Sequence, residues 1–110
     1  MTKLKKYKLH VMLLSLIFMA LSISIIFSKE PNLPTFNDSD LAQYDGVDLT
    51  KPVYIAYEGY VYDVSAGREE FYNQGKPYHY LAGKDSTSQL NIAGGGIIRA
   101  KYKVIAKYSR

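Results

Sequence analysis

Near its N-terminus the chain has an apolar segment that limits how much of it can fold as a globular domain. An uncharged run of seventeen residues extends from Val11 to Phe27, and it reaches twenty with three flanking residues. A helix of that length covers about 30 Å, the thickness of the hydrocarbon core of a bilayer. We therefore predict a transmembrane helix at residues 11–28, followed by one small domain.

The charges beside this segment predict its orientation. Four lysines precede it, namely Lys3, Lys5, Lys6 and Lys8. Positive flanks remain on the cytoplasmic side of a membrane. The predicted order is a cytoplasmic basic tail at residues 1–10, a signal-anchor at 11–28, a proline-containing linker at 29–34 and an extracytoplasmic domain at 35–110. The protein is then a single-pass protein of the cell membrane.

A cleaved signal peptide is the alternative for the same segment. Ser22 and Ser24 are small residues at the spacing that signal peptidase sites use. The anchor and the signal peptide place the domain on the same side of the membrane. They differ in whether the domain stays attached.

The charge distribution argues against nucleic acid as a partner. The formal net charge of the whole chain is +4. Residues 35–110 nevertheless carry nine basic and nine acidic side chains, so the excess belongs to the N-terminal segment. There it suits attraction to anionic lipid. No basic stripe remains for a phosphate backbone.

The chain contains no cysteine. This excludes disulfides, thiolate metal sites, thiol nucleophiles and covalent c-type haem attachment. A domain of about 76 residues has one small core of marginal stability, and a bound cofactor would stabilise it. The sequence also lacks a Ser/His/Asp set, a zinc signature and a phosphate loop after Gly94-Gly95-Gly96, which we interpret as a turn.

Local patterns predict a small α+β domain. Asn37 is a candidate N-cap for a short helix that stops at Asp45-Gly46. Alternation over Pro52–Val64, with a turn at Glu58-Gly59, predicts a β-hairpin. Further elements are expected as a helical turn from Arg68 to Tyr72, a short helix capped by Asp85 that ends at the glycine run, and a last strand from Arg99 to Tyr108 with Tyr102, Val104, Ala106 and Tyr108 on one face.

The segment GREEFYNQGKPYHYLAGKD concentrates large rings between turn residues. It contains Tyr72, Tyr78, His79 and Tyr80, beside glycines and a proline that break regular structure. A surface loop gains little from so many rings. Taken without any relative, Tyr78 is interpreted as a packing residue of a tight loop, and His79 as a solvated one.

From Phe36 onward the sequence resembles the cytochrome b5-like haem/steroid-binding domains, and among them the membrane-associated progesterone receptor branch. The matching pieces are FNDSDLAQYDG, PVYIAYEGYVYDVSAGR, FY, KPYHYLAGKDSTSQL and KYKVIAKY, in that order. The resemblance implies a b5-like fold, non-covalent haem b as cofactor and an N-terminal membrane anchor.

The resemblance also implies site residues. In that branch a tyrosine four residues before the alanine of AG binds haem iron, and this position is Tyr78. Tyr72 matches a second pocket tyrosine, and Lys101-Tyr102 match a lysine–tyrosine pair of the last strand. His79 is the alternative iron ligand. Cations that could meet the haem propionates are Arg68, Lys76, Lys84 and Lys101.

One departure from the family concerns the pocket. Only 15 residues separate Asp85 from Lys101, fewer than in the animal receptors. The helices over one side of the haem are therefore expected to be short or missing, as in small bacterial b5-like domains. An open haem face would allow a homodimer or a haem-transfer protein as partner.

The number of histidines restricts the redox chemistry. The chain has two, His10 at the membrane flank and His79. Bis-histidine ligation within one domain is thus impossible, which argues against a b5-type electron carrier unless a dimer supplies the second ligand. A phenolate favours ferric iron and lowers the reduction potential. We predict a non-enzymatic protein that captures, stores or relays ferric haem. The alternatives are a cofactor-free scaffold or sterol-like ligand module, and a redox accessory to a membrane enzyme.

Overall fold

The computed structural model describes residues 32–110, which contain four strands, three short α-helices, two 3-10 turns and one π-helical turn. The predicted basic tail, the predicted span and residues 29–31 of the predicted linker lie outside these residues. Among the helices of residues 32–110, none has the length and apolar character needed to cross a bilayer.

The strands form one mixed sheet in the order β1-β4-β3-β2. They are β1 (Thr35–Phe36), β2 (Tyr54–Tyr57), β3 (Tyr60–Asp63) and β4 (Lys103–Tyr108). β1 runs parallel to β4, whereas the other pairs are antiparallel. Short helices pack against this sheet, so the predicted α+β class is confirmed.

The predicted hairpin is present, and its turn explains the Glu58-Gly59 pair. β2 and β3 are joined by these two residues, with Tyr57 opposite Tyr60. The φ angles are 47° at Glu58 and 83° at Gly59. Positive φ at both positions belongs to the turn whose twist matches that of paired strands, and glycine adopts it without steric cost.

The first helix, α1 (Asp38–Ala42), begins where the sequence predicts. The Asn37 side chain accepts a hydrogen bond from the Asp40 amide, and the Asp40 carboxylate accepts one from the Asn37 amide, both at 2.9 Å. This reciprocal capping satisfies amides that the first turn leaves unpaired. The helix ends before Asp45-Gly46, and its Leu41 is fully buried.

The C-terminal region corrects two predictions. Residues from Gly95 to Lys101 form an α-helix rather than a turn and the start of a strand, and only Gly94 has the left-handed conformation of a turn, with φ of 99°. Gly95, Ile98 and Tyr102 are buried at helical spacing. The alternation of apolar residues that follows this segment is typical of a strand, and it led to the wrong prediction that the strand begins at Arg99. We call this helix α3, and α2 is Thr87–Ile92.

The prediction of one apolar face on the last strand was also wrong. A register shift between β3 and β4 places Tyr62 opposite Val104 and Val61 opposite Ala106. Val104 therefore packs against one buried cluster, and Ala106 belongs to the other. An irregularity of this kind moves the following side chains to the other face of a sheet.

The two clusters occupy opposite sides of the sheet. Because side chains alternate along a strand, Ile55 and Tyr57 belong to one cluster and Ala56 to the other. The first cluster also contains Tyr72 and Tyr102. Because Tyr72 and Tyr102 are predicted site residues, the candidate site lies at this larger cluster.

Candidate functional site

A cavity of about 680 Å³ opens on the helical side of the domain. Sites for small organic ligands commonly have volumes of about 300–1,000 Å³. One wall comes from the segment between Phe71 and Leu81, and the other from α2, α3 and Tyr102. The lining is mainly apolar. Three of the sequence-predicted tyrosines, Tyr72, Tyr78 and Tyr102, line this cavity together.

Two of these tyrosines form the floor. Tyr72 closes a π-helical turn, Arg68–Tyr72, and Tyr102 follows α3. Their exposed fractions are 5% and 9%, and their rings meet edge to face with centroids 6.2 Å apart. Both rings pack over Gly67, where a Cβ would lie 2.3 Å from the Tyr102 hydroxyl. Gly67 is thus required because the two tyrosine rings leave no space for a side chain there.

Burial keeps one floor tyrosine neutral. Desolvation, and next the neighbouring Tyr102 hydroxyl, raise the pKa of Tyr72 far above its ordinary value. An apolar environment penalises the phenolate form. Tyr72 therefore remains a phenol over the physiological range and can act as a hydrogen-bond donor inside the cavity.

Tyr78 stands at the mouth of the cavity. Its side chain is 46% exposed, and its ring lies 5.9 Å from the Phe71 ring between centroids. Its amide donates to the Phe71 carbonyl at 2.8 Å. This bond ties the loop to the π-helical turn. Tyr78 is thus a predicted ligand that is half exposed to solvent.

His79 is next to Tyr78 but is not among the lining residues. Its ring Nδ1 lies 2.9 Å from the Tyr72 carbonyl oxygen. Because a carbonyl can only accept, Nδ1 carries the proton and donates. The structure therefore gives His79 a backbone contact instead of a place in the cavity.

The helical wall is fastened to the hairpin turn by contacts that the sequence did not predict. The Tyr57 hydroxyl donates to Asn91 Oδ1 at 2.9 Å, and the Glu58 amide donates to Thr87 Oγ1 at 2.9 Å. Arg99 forms an ion pair with Glu58 and lies 5.0 Å from the centre of the Tyr57 ring. These contacts fix α2 and α3 against the sheet.

Asp85 lies one residue before the N-cap of α2 instead of at the predicted cap position. Asp85 Oδ1 accepts from the Thr87 amide and hydroxyl at 3.2 and 2.5 Å, while Ser86 occupies the N-cap position. The short helices expected from the spacing of Asp85 and Lys101 are present, with six residues in α2 and seven in α3.

The predicted cations do not gather at one place. Lys101 lines the cavity, with its Nζ 5.9 Å from the centres of both the Phe71 and Tyr102 rings. Arg68, Lys76 and Lys84 lie outside the lining. Arg68 instead donates to Asn73 Oδ1 at 2.8 Å and to the Lys51 carbonyl at 2.7 Å. Its guanidinium therefore holds two loops together.

Several exposed apolar side chains surround the opening. Tyr80 is 55% exposed, Ile97 64% and Ile92 87%, and all three line the cavity. Neither isoleucine was predicted as a site residue from the sequence. Ile97 and Ile98 are adjacent in the sequence, and only the structure shows that the first is exposed and the second buried.

The mixed sheet, the short helices and the tyrosine-lined cavity together are those of a small ligand-binding domain. A family model described as the cytochrome b5-like heme/steroid binding domain matches residues 37–108. The chain belongs to this family. Members of the family generally bind haem, and the resemblance seen in the sequence is thereby confirmed.

Solved structures support the same fold. A hypothetical protein from Arabidopsis thaliana with a cytochrome b5-like fold superposes with a TM-score of 0.61 at 28% identity, covering 74% of this chain and 95% of the other. A cytochrome b5 domain protein from Hadesarchaea gives 0.58 at 28% identity, covering 70% of this chain and all of the other.

Curated relatives match over about half of the chain. Probable steroid-binding protein 3 of Arabidopsis thaliana is 44% identical over 55 residues, which are 50% of this chain and 54% of the relative. A neuferricin homolog of Caenorhabditis elegans is 44% identical over 52 residues, 47% of this chain and 16% of the relative. The chain thus spans about half of the first protein and a small part of the second.

The donor set of the cavity fits a haem group. Apolar walls suit a porphyrin ring, Tyr78 offers an accessible oxygen to ferric iron, and Lys101 offers a cation to a carboxylate. Tyr72, held neutral, offers a hydrogen bond to a ligand oxygen. Non-covalent binding is the mode that a chain without cysteine permits.

Proposed function

We propose that this chain is a membrane-anchored, extracytoplasmic haem-binding protein that captures, stores or relays ferric haem b through the Tyr78 oxygen. The observation that carries the proposal is the convergence of Tyr72, Tyr78 and Tyr102 on one cavity, with Tyr78 at its mouth. The single histidine of residues 32–110 lies outside that cavity lining.

The residues have different roles in this proposal. When bound, haem supplies a Lewis-acidic ferric centre, which favours an anionic oxygen donor. Tyr78 would hold the iron, and Tyr72 and Tyr102 would close the floor and exclude water. Lys101 would offer its cation to a propionate. The half-exposed position of Tyr78 suits a ligand that must also be released.

This role is binding rather than catalysis. A phenolate ligand lowers the reduction potential, which favours the ferric state over repeated electron transfer. A cofactor-free scaffold and a redox accessory are the rival functions. The exposed apolar rim formed by Tyr80, Ile92 and Ile97 suits a homodimer or a haem-transfer protein as partner.

The membrane anchor rests on the sequence of residues 11–28. The lysines before it place residues 35–110 outside the cytoplasm. Protease added to spheroplasts should remove a C-terminal tag while a cytoplasmic marker stays intact. A tag that survives while an extracytoplasmic marker is digested would contradict this orientation.

Hemin titration of the full chain in detergent tests the cofactor proposal. Wild type should give a Soret band and a phenolate-to-iron charge-transfer band. Tyr78→Phe removes only the hydroxyl, so the charge-transfer band should vanish and hemin affinity should fall. Tyr80→Phe is the matched control, because Tyr80 lines the same cavity. An unchanged spectrum in Tyr78→Phe would refute Tyr78 as the ligand.

A steroid-like ligand is the second candidate function. Relatives are named steroid-binding proteins, and an apolar cavity with phenol hydroxyls suits a rigid polycyclic ligand with few polar groups. Competition between hemin and progesterone separates the two. Progesterone that binds wild type while hemin gives no Soret band would favour the steroid function.

A further inference from the structure

The imidazole of His79 connects the two segments that carry the cavity tyrosines. Tyr72 ends the π-helical turn, and Tyr78 precedes a 3-10 turn, His79–Leu81. Five residues separate the two tyrosines. The His79 ring links the two segments, because its Nδ1 lies 2.9 Å from the Tyr72 carbonyl oxygen.

This contact lies in a crowded place. Tyr72 and Asn73 are 5% and 7% exposed. The Tyr72 carbonyl also lies close to Gly46, where a Cβ would lie 2.5 Å from the oxygen. A carbonyl in such surroundings needs a donor, and His79 supplies one from the residue next to Tyr78.

A second bond works in parallel. The Tyr78 amide donates to the Phe71 carbonyl at 2.8 Å. The loop is thus attached to consecutive residues of the π-helical turn, once through the backbone of Tyr78 and once through the side chain of His79. The start of the loop is held by the amides of Asn73 and Gln74, which donate to the Arg68 and Gly46 carbonyls, so the bonds of Tyr78 and His79 fix the end that carries Tyr78.

We propose that His79 is a positioning residue, which holds Tyr78 at a fixed separation from Tyr72 across the mouth of the cavity. This inference rests on the proposed role of Tyr78 as the haem ligand. Iron–oxygen bonds are directional, so an oxygen that is already in place loses less freedom on binding. His79 acts through Tyr78 and does not touch the ligand.

Three substitutions at His79 test the contact by the position of the donor. The side-chain nitrogen of asparagine replaces Nδ1, so His79→Asn keeps the bond to Tyr72. The nitrogen of glutamine replaces Nε2, so His79→Gln misplaces the donor. His79→Leu removes it. Gln74→Ala is the control, because Gln74 is an exposed residue of the same loop.

The first measurement is the rate at which hemin dissociates from the full chain in detergent. His79→Leu and His79→Gln should release hemin about tenfold faster, as expected for loss of one hydrogen bond to a buried carbonyl. At saturating hemin both should keep the charge-transfer band. His79→Asn and Gln74→Ala should match wild type.

The second measurement needs no hemin. Exchange of the Tyr78 amide hydrogen in the apo chain should accelerate in His79→Leu and His79→Gln, and it should be restored in His79→Asn. Wild type that fails to bind hemin contradicts the proposed function, and the exchange rates then still decide whether His79 holds the loop.

Three results would overturn the inference. Loss of hemin binding in His79→Leu, with an unchanged ferric spectrum and affinity in Tyr78→Phe, would make the histidine itself the ligand. An asparagine variant as impaired as the leucine variant would exclude the Nδ1 donor. Exchange and dissociation rates equal to those of wild type in all three variants would leave His79 without a role.

Discussion

The Tyr102 hydroxyl lies so close to Gly67 that a Cβ at this glycine would stand 2.3 Å from the oxygen and 3.2 Å from the Tyr72 ring. The floor of the cavity therefore depends on a residue that has no side chain. Tyr102 cannot stay in place if this position gains a methyl group, and the Tyr72 ring must also shift slightly, because buried rings have little free space.

Gly67→Ala should lower the free energy of unfolding by about 1–3 kcal/mol and weaken hemin binding, since Tyr102 must move. Gly96→Ala is the matched control, because a Cβ there has no neighbour within 4 Å. Inside α3 this control should raise stability by about 0.5–1 kcal/mol. Urea unfolding measures both, and equal losses in the two variants would contradict the packing argument.

The buried phenol of Tyr72 predicts a loss of stability in alkali. Its pKa is raised in the folded chain, so folding favours the neutral form. The contribution is fully present below the unfolded pKa of about 10 and is lost as pH rises from there towards the folded pKa. Wild type should lose more stability than Tyr72→Phe over this alkaline window.

Urea unfolding of the two proteins below and above that unfolded pKa gives this difference. Burial also raises the pKa of Tyr54 and Tyr62, but their effects are common to both proteins and cancel. A wild-type curve parallel to that of Tyr72→Phe would contradict the assignment.

Substitution of Arg68 distinguishes a structural role of this residue from a contact with a haem propionate. Arg68→Lys keeps the charge, but an ammonium cannot reproduce the paired bonds to Asn73 and Lys51. We expect a loss of about 1–3 kcal/mol in stability, with hemin affinity close to that of wild type. The exposed Lys84→Met should change stability by less than about 0.5 kcal/mol.

Lys101 is the cavity cation, so its removal should affect a carboxylate-bearing ligand. Lys101→Met should weaken hemin binding by up to about fivefold, because a partly solvated ion pair contributes up to about 1 kcal/mol. The loss should shrink in high salt. Lys103→Met, an exposed change outside the lining, should leave hemin affinity unaltered, and the same loss in both would exclude a specific contact.

Hemin should stabilise the native chain. A ligand that binds only the folded state adds about 2.7 kcal/mol at a hundredfold excess over Kd, and about 1 kcal/mol shifts Tm by roughly 4–8 °C for a domain of this size. Differential scanning calorimetry should therefore record an increase in Tm of at least about 4–8 °C. Tyr78→Phe should show less of it. An unchanged Tm under saturating hemin would count against a haem site.

Local sequence determined much of the framework. The Asn37 cap and the Glu58-Gly59 turn follow from short-range chemistry, and both were predicted correctly because capping and φ preferences depend on few neighbouring residues. The family motif likewise indicated Tyr72, Tyr78 and Tyr102, which line one cavity.

Tertiary contacts decided the rest. Strand-like alternation near the C-terminus hid α3, because the burial of Gly95 against Tyr57 is a contact between residues distant in sequence. The same holds for Arg68, which bonds Lys51 instead of lining the cavity, and for His79, whose ring reaches the Tyr72 carbonyl. A sequence specifies which donors and charges exist, but only packing of distant segments determines which partner each of them meets.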